Sequence, residues 1–123
     1  MTTTKIFVIS LEKMQQAFEQ MKNEAGWNTE SRLYWGFYFL DHNLQKLEQF
    51  SLLLKDHRFD VVEIRNTGEG NLYLLHIEEH KIHSAKSLYD KCNILANYAI
   101  ENDIEVFDGW DVEKEKINKG LVD

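Results

Sequence analysis

The sequence predicts an α+β domain of the ferredoxin-like type, with the order β-α-β-β-α-β, a four-stranded antiparallel sheet and an additional N-terminal helix. Two observations carry this prediction: helix-like and strand-like segments alternate in that order, and a Gly-containing turn joins the two central strands. The 123 residues suit a single domain. We expect an N-terminal helical extension over 1–30, the ferredoxin-like core over 31–113 and a C-terminal tail over 114–123.

The N-terminal helix is predicted from a cap and an apolar stripe. Ser10 is a good N-cap, and the helix should end near Gly26. The stripe has spacings of three, four and three residues and consists of Leu11, Met14, Phe18 and Met21. The apolar run before it, Ile6 to Ile9, fits either a short strand or an apolar lead-in.

The first core strand, "RLYWGFYF" from Arg32 to Phe39, is aromatic on both faces. Alternation puts Trp35, Phe37 and Phe39 on one side, with Tyr34 and Tyr38 on the other. Core helices of a ferredoxin-like fold cover one face only. We therefore expect the N-terminal helix, or a second copy of the chain, to lie over the face that they leave open.

The remaining elements follow in order. Asp41 or Asn43 can cap a second helix that ends around His57 or Arg58 and has a stripe of Leu44, Leu47, Phe50, Ser51, Leu53 and Leu54. The strands "FDVVEIR" and "NLYLLHIEE" then form an antiparallel hairpin around the "TGEG" turn. Ser84 caps the longest helix, whose stripe is Ala85, Leu88, Cys92, Leu95 and Ala99, and "IEVF" is the last strand.

The charge balance limits the partners. Twenty-one acidic and fourteen basic residues give a net charge of -7. Such a protein repels phosphate backbones and anionic membranes, so we expect no direct nucleic-acid or membrane binding. A basic protein segment is the partner that this charge favours.

The lone cysteine, Cys92, excludes an intramolecular disulfide and a cysteine-based zinc site. Its place on a helical stripe indicates a buried apolar position. The N-terminal apolar run is too short for a signal sequence, and no segment has the length and hydropathy of a membrane span. The predicted location is the cytoplasm.

The most enzyme-like string is "HIEEH", His76 to His80, which formally matches an inverted zinc-protease pattern. On a strand, residues four apart are separated by about 13 Å, too far to share one ion. We interpret these residues as solvated at a strand end. His83 adds a third imidazole, but its position in a loop fixes no metal geometry. Tyr34, Tyr38 and Tyr73 could stack on RNA bases. However, the chain lacks the basic signature of RNA-binding sheets. The sequence predicts no catalytic residue, no metal and no cofactor, and hence no enzyme.

The C-terminal "EVFDGWDV" allows two interpretations. Trp110, placed after Gly109 at a strand end, is either buried by the sheet or a hot spot for a protein partner. The acidic residues around it are at minimum solvated, and they could steer a basic partner; they are Glu101, Asp103, Glu105, Asp108 and Asp111.

The segment "ENDIEVFDGWDVE", preceded by a hairpin and a long helix, resembles the ribonuclease E inhibitor B family, the RraB-like regulators of ribonuclease activity B. The resemblance covers Leu33 to Glu113, and its motif is Asp108, Gly109 and Trp110. It implies a small acidic cytoplasmic protein without catalytic activity that binds an endoribonuclease and alters its activity or partners. The ending "KEKINKGLVD" departs from the long acidic tail of the best-known kind of member.

The predicted function is therefore regulation of RNA turnover through binding of a ribonuclease E type enzyme. The predicted contacts are Asp108, Trp110 and Asp111, with Glu101, Asp103 and Glu105 at the rim. The sequence allows a homodimer and does not decide the oligomeric state. The alternative function is an orphan module that binds a protein or small ligand, for example an acidic immunity-type protein that neutralises a basic toxin.

Overall fold

The computed structural model describes residues 3–7 and 9–114. They form, in chain order, β1 (Lys5–Ile6), α1 (Leu11–Asn23), β2 (Leu33–Asp41), α2 (Leu44–Asp56), β3 (Asp60–Asn66), β4 (Tyr73–Lys81), α3 (Ala85–Glu101) and β5 (Val106–Glu113). The predicted tail, apart from Lys114, lies outside the described residues.

The α+β class is confirmed, but the four-stranded sheet is wrong. The described strands form a five-stranded sheet in the order β1-β5-β2-β4-β3. The added strand is β1, which pairs parallel with β5 so that Lys5 lies opposite Val106. The apolar run before α1 therefore begins in a strand, which extends the sheet beyond the ferredoxin-like pattern.

The predicted helix starts are confirmed at their caps. The side chain of Ser10 accepts from Lys13 N, and Ser84 forms a reciprocal capping box with Ser87. Asn43 rather than Asp41 caps α2, since its side chain accepts from Lys46 N. Asp41, 1 % exposed, instead accepts from the backbone N of Asn43 and Glu105 and pairs with the Lys46 ammonium at 2.8 Å.

All three described helices pack on one face of the sheet, which we call the core face. Phe18 of α1 stacks on Trp35 at 5.7 Å, and Phe50 of α2 meets Phe39 edge-on at 5.0 Å. The buried stripe of α3 joins the same cluster. The expectation that the N-terminal helix lies over the other face is therefore wrong: α1 packs beside α3, where its apolar stripe enlarges one core.

The central part of the opposite side, which we call the open face, consists of Tyr34, Gly36 and Tyr38 on β2, His76, Glu78 and His80 on β4, and Asp111 and Glu113 on β5. The rest of that side includes Lys5, Leu40, Asp60, Glu63, Arg65, Leu74 and Val106. Register defines this set, because directly paired residues share a face: Tyr38 lies opposite His76, and Gly36 lies opposite both Glu78 and Asp111. None of the described helices packs on this side.

A bulge in β5 decides where Trp110 points. Phe37 pairs with Trp110 and Phe39 pairs with Phe107, so β5 spans this stretch with one residue more than β2. Gly109 lies in the bulge and has a φ of 95°, a backbone conformation that favours glycine. The bulge brings both Phe107 and Trp110 to the core face. Because β5 continues to Glu113, the predicted placement of Trp110 at a strand end is wrong.

The lone cysteine is confirmed as a core residue. Cys92 is fully buried on α3, and this burial, with the nearby carboxylate of Glu79, raises the pKa of the thiol to about 12. The thiol therefore stays protonated at neutral pH and behaves as a small apolar group. Within residues 3–7 and 9–114, no helix is long and apolar enough to cross a membrane.

Candidate functional site

The six predicted contact residues fall in three places. Asp108 is exposed in the β5 bulge, and Asp111 lies on the open face three residues later. Trp110 lies between them but faces the core. The other acidic residues, Glu101, Asp103 and Glu105, lie at the end of α3 and in its connection to β5. Asp108 and Asp111 therefore lie on one strand, Glu105 immediately precedes it, and Glu101 and Asp103 lie earlier in the chain.

Trp110 packs inward. Its ring lies 5.9 Å from that of Trp35, and the residue is partly buried against the core cluster. Of the two interpretations from sequence, this geometry favours packing. Trp110 packs β5 against the core cluster, while Asp108 is exposed and Asp111 lies on the open face.

The rim residues are held to the start of α2. Glu105 accepts from the backbone N of His42 and lies 2.9 Å from its Nδ1. The carbonyl of Asp103 accepts from the Lys46 ammonium at 2.6 Å. These contacts join the α3–β5 connection to the β2–α2 connection, so Glu105 and Asp103 have a structural role besides their charge.

The centre of the open face is a hydrogen bond between neighbouring strands. The Tyr38 hydroxyl donates to Asp111 Oδ2 at 2.6 Å, and the Tyr38 ring stacks on His76 at 4.4 Å. One step along the sheet, Tyr34 stacks on His80 at 4.0 Å with the rings 3° from parallel. The open face thus presents two stacked tyrosine–histidine pairs beside a carboxylate.

Gly36 allows this arrangement by having no side chain. A Cβ at this position would overlap Asp111 Oδ1 and lie 2.8 Å from His76 Nε2. The carboxylate and the imidazole therefore approach each other over the backbone of β2. Gly36 is not among the site residues predicted from the sequence, although a glycine inside an aromatic strand is a known sign of close approach.

The acidic surroundings of Tyr38 change its titration. Burial of its hydroxyl raises the pKa above the ordinary value, and the hydrogen bond to Asp111 raises it further. The negative charges of Glu113 and Glu78 act in the same direction. Tyr38 therefore remains a neutral donor throughout the physiological range, and three carboxylates lie near enough to act on it.

The "HIEEH" string lies on a strand, as predicted, but the solvated interpretation is wrong for several of its residues. His76 and Glu78 are each 4 % exposed, and His83 is 2 % exposed. Glu79 points to the core face, where its carboxylate lies 2.8 Å from His83 Nε2, while His83 Nδ1 lies 2.8 Å from Ser87 Oγ. Across the part of the chain that the structure describes, no group of three His, Cys, Asp or Glu side chains is placed to hold a metal ion.

The Glu79–His83 pair predicts an acid-sensitive contribution to stability. Burial acts to raise the pKa of Glu79, but the hydrogen bond from His83 and the charge of Lys91 outweigh it and hold the pKa below its ordinary value. A lowered folded-state pKa gives stability that is present above the unfolded value, about 4.3, and is lost as pH falls through the folded value.

Glu79→Gln should therefore cost about 1–2 kcal/mol of unfolding free energy at pH 7, and the difference from the parent should shrink below about pH 4. Urea denaturation from pH 3 to pH 8 measures both curves. Exposed Glu48→Gln is the matched control and should follow the parent. A constant offset between Glu79→Gln and the parent at all pH values would contradict this account.

Comparison with known proteins identifies the family. The family described as "RraB: Regulator of ribonuclease activity B" matches residues 11–112, from the first residue of α1 to the penultimate residue of β5. No curated protein matches the chain. The family match includes α1, which the sequence predicts to be an extension, together with the Asp-Gly-Trp bulge and the whole open face except Glu113. Since it spans most of the sequence, the chain belongs to the RraB family of regulators of ribonuclease activity.

Proposed function

We propose that this protein is a non-enzymatic cytoplasmic regulator of RNA turnover that binds an endoribonuclease of the ribonuclease E type and modulates its activity. The single observation that carries the proposal is the family match over residues 11–112. The family description names ribonuclease activity as what its members regulate. A regulator needs a surface for the enzyme, and the acidic strand β5 supplies one.

The proposed contact is electrostatic in its first step. Asp108 and Asp111 present carboxylates along β5, with Glu101, Asp103 and Glu105 as an acidic rim before the strand. A net charge of -7 steers a basic segment of the nuclease towards the protein and disfavours direct contact with its RNA. In this proposal Trp110 holds the bulge in place and contributes its partly exposed edge.

The alternative, an immunity-type module for a basic toxin, would use the same charge and differs only in its partner. A small-ligand module has less support. A cleft of about 300 Å³ between α1 and the β4–α3 connection has a mixed lining that includes Phe18, Lys22, Thr29 and His83. A binding site for an apolar ligand would be more uniformly apolar than this.

The test is binding to a purified ribonuclease E type enzyme from the same organism, measured by retention on the immobilised protein at low and high salt. We expect retention at low salt, release at high salt, and at least about tenfold weaker binding for Asp108→Asn/Asp111→Asn. The matched control, Glu19→Gln/Glu48→Gln, removes two exposed charges from α1 and α2 and should bind as the parent does.

Cleavage of a model RNA by the enzyme, with and without an excess of the protein, provides the second measurement. A changed cleavage rate with the parent and a smaller change with Asp108→Asn/Asp111→Asn is the expected result. If the enzyme is neither retained nor altered in rate, the proposed function is rejected.

A further inference from the structure

The open face combines aromatic rings with carboxylates, and no described helix covers it. We propose that it is a docking surface for an arginine-rich segment of a partner protein, and that it prefers guanidinium groups to ammonium groups. The identification of this partner with a nuclease rests on the proposed function; the chemistry of the surface does not.

The charge on the open face points to a cationic ligand. Asp111 and Glu113 alternate with Val112 along β5, and both lie close enough to the Tyr38 hydroxyl to affect it. Among the described residues, neither Asp111 nor Glu113 forms an ion pair with a lysine, arginine or histidine. Their negative charge is therefore available to neutralise a bound cation.

The basic groups of this side lie at its margins. Arg65 on β3 contacts Glu63 at 3.8 Å, and Arg32 donates to the carbonyl of His80 at 3.3 Å. Lys5 lies on the edge strand β1, opposite Val106 at the start of β5. Both arginines leave the strip around Asp111 and Glu113 acidic.

The aromatic pairs favour arginine over lysine. Tyr34, stacked on the exposed His80, presents fixed planar rings that a guanidinium can lie against. The partly buried Tyr38 adds a second ring, while its stacking partner His76 is buried. The two tyrosines are four residues apart on β2, or about 13 Å, and Asp111 lies opposite Gly36 between them. A planar guanidinium can stack on a ring and donate two hydrogen bonds to a carboxylate, which an ammonium cannot do.

The same charges disfavour two other occupants. A second copy docked through this face would bring Asp111 and Glu113 against the same residues of its partner, and like charges in a desolvated interface are costly. A nucleic acid would bring phosphates against them. Of the three occupants, the cationic peptide is the one whose charge complements the open face.

The experiment measures binding of fluorescent nona-arginine and nona-lysine peptides to the full chain by anisotropy at low ionic strength. We expect the parent to bind nona-arginine at least about fivefold more tightly than nona-lysine. Asp111→Asn/Glu113→Gln should weaken nona-arginine binding by about tenfold or more, and Tyr34→Ala should reduce the preference for arginine. Asn at position 111 keeps an acceptor for the Tyr38 hydroxyl, and thermal denaturation checks that each variant is folded.

A matched control locates the site. Glu19→Gln/Glu48→Gln removes the same charge from the helical side. It should retain nona-arginine binding within about twofold, because only long-range attraction is lost. Equal affinity for the two peptides, or an equal loss with any pair of charges, would overturn the proposal.

Two further outcomes separate this proposal from the proposed function. Nuclease binding that is indifferent to Asp111→Asn/Glu113→Gln would reject the open face as the surface and leave the function intact. Peptide binding that follows the predictions without any binding to a nuclease would reject the function and keep the surface.

A parent dimer that these substitutions convert to monomers would assign the open face to a second copy and overturn the proposal.

Discussion

Trp35→Ala is expected to lower the free energy of unfolding by about 3–5 kcal/mol, the largest effect of any single substitution considered for this protein. Trp35 has no exposed surface. Its ring joins three elements, because it stacks on Phe18 of α1, lies 5.9 Å from Trp110 of β5, and its Nε1 donates to the carbonyl of Lys81 at 2.9 Å. Truncation would leave a cavity and an acceptor without its donor.

Urea denaturation followed by far-UV circular dichroism measures this loss. Trp35→Phe is the matched control: it keeps most of the apolar packing but loses the indole donor, so it should cost roughly half as much. Trp27→Ala provides a comparison at a partly buried tryptophan and should cost less than Trp35→Ala. A cost below about 1.5 kcal/mol for Trp35→Ala would show that Trp35 does not connect α1 and β5 to the sheet as described.

Gly36→Ala is expected to cost about 1–3 kcal/mol and to disturb the centre of the open face. The added methyl group would overlap Asp111 Oδ1 and approach His76 Nε2, so one or both side chains must move. Moving Asp111 breaks its hydrogen bond with Tyr38. The substitution should therefore also weaken binding of an arginine-rich peptide, although Gly36 contributes no side chain to the surface.

A double-mutant cycle with Asp111→Ala isolates the cause. If the clash with the carboxylate dominates, Gly36→Ala should cost less in the Asp111→Ala background than in the parent, and the two costs should be non-additive by about 0.5–2 kcal/mol. Gly36→Ala in the parent and in Asp111→Ala can be compared by the same urea denaturation. Strict additivity would mean that the two residues do not meet.

The helices were predictable because their signals are local. A cap such as Ser10 or Ser84 and an apolar stripe at helical spacing are both contained within the segment that they describe. The hairpin of β3 and β4 was predictable for the same reason, since its turn and its two strands are adjacent in the chain. The family resemblance also came from a short local motif, and the match over 11–112 confirms it.

The candidate site was less predictable, because its parts come from distant segments. Nothing in the sequence near Gly36 shows that Asp111 and His76 will meet over it, since that contact joins β2, β5 and β4. His76 and Glu78 looked solvated because polar residues at the end of a strand usually are, but both are buried, and His76 stacks on Tyr38. The charge of Asp111 made it predictable from the sequence as a site residue, but its neighbours Tyr38 and Gly36 were not predictable.

The sequence by itself determined which segments form the core helices and strands and which faces of the helices are apolar. It also determined the acidic character of the protein and its family. Tertiary structure alone decided which side of the sheet each element covers. The stripe of α1 could pack on either face, and the core beside α3 offered Trp35 as a partner. The direction of Trp110 depended on one extra residue in β5, which reverses the strict alternation that a sequence pattern assumes. Long-range pairing and register are properties of the assembled sheet, so no local pattern contains them.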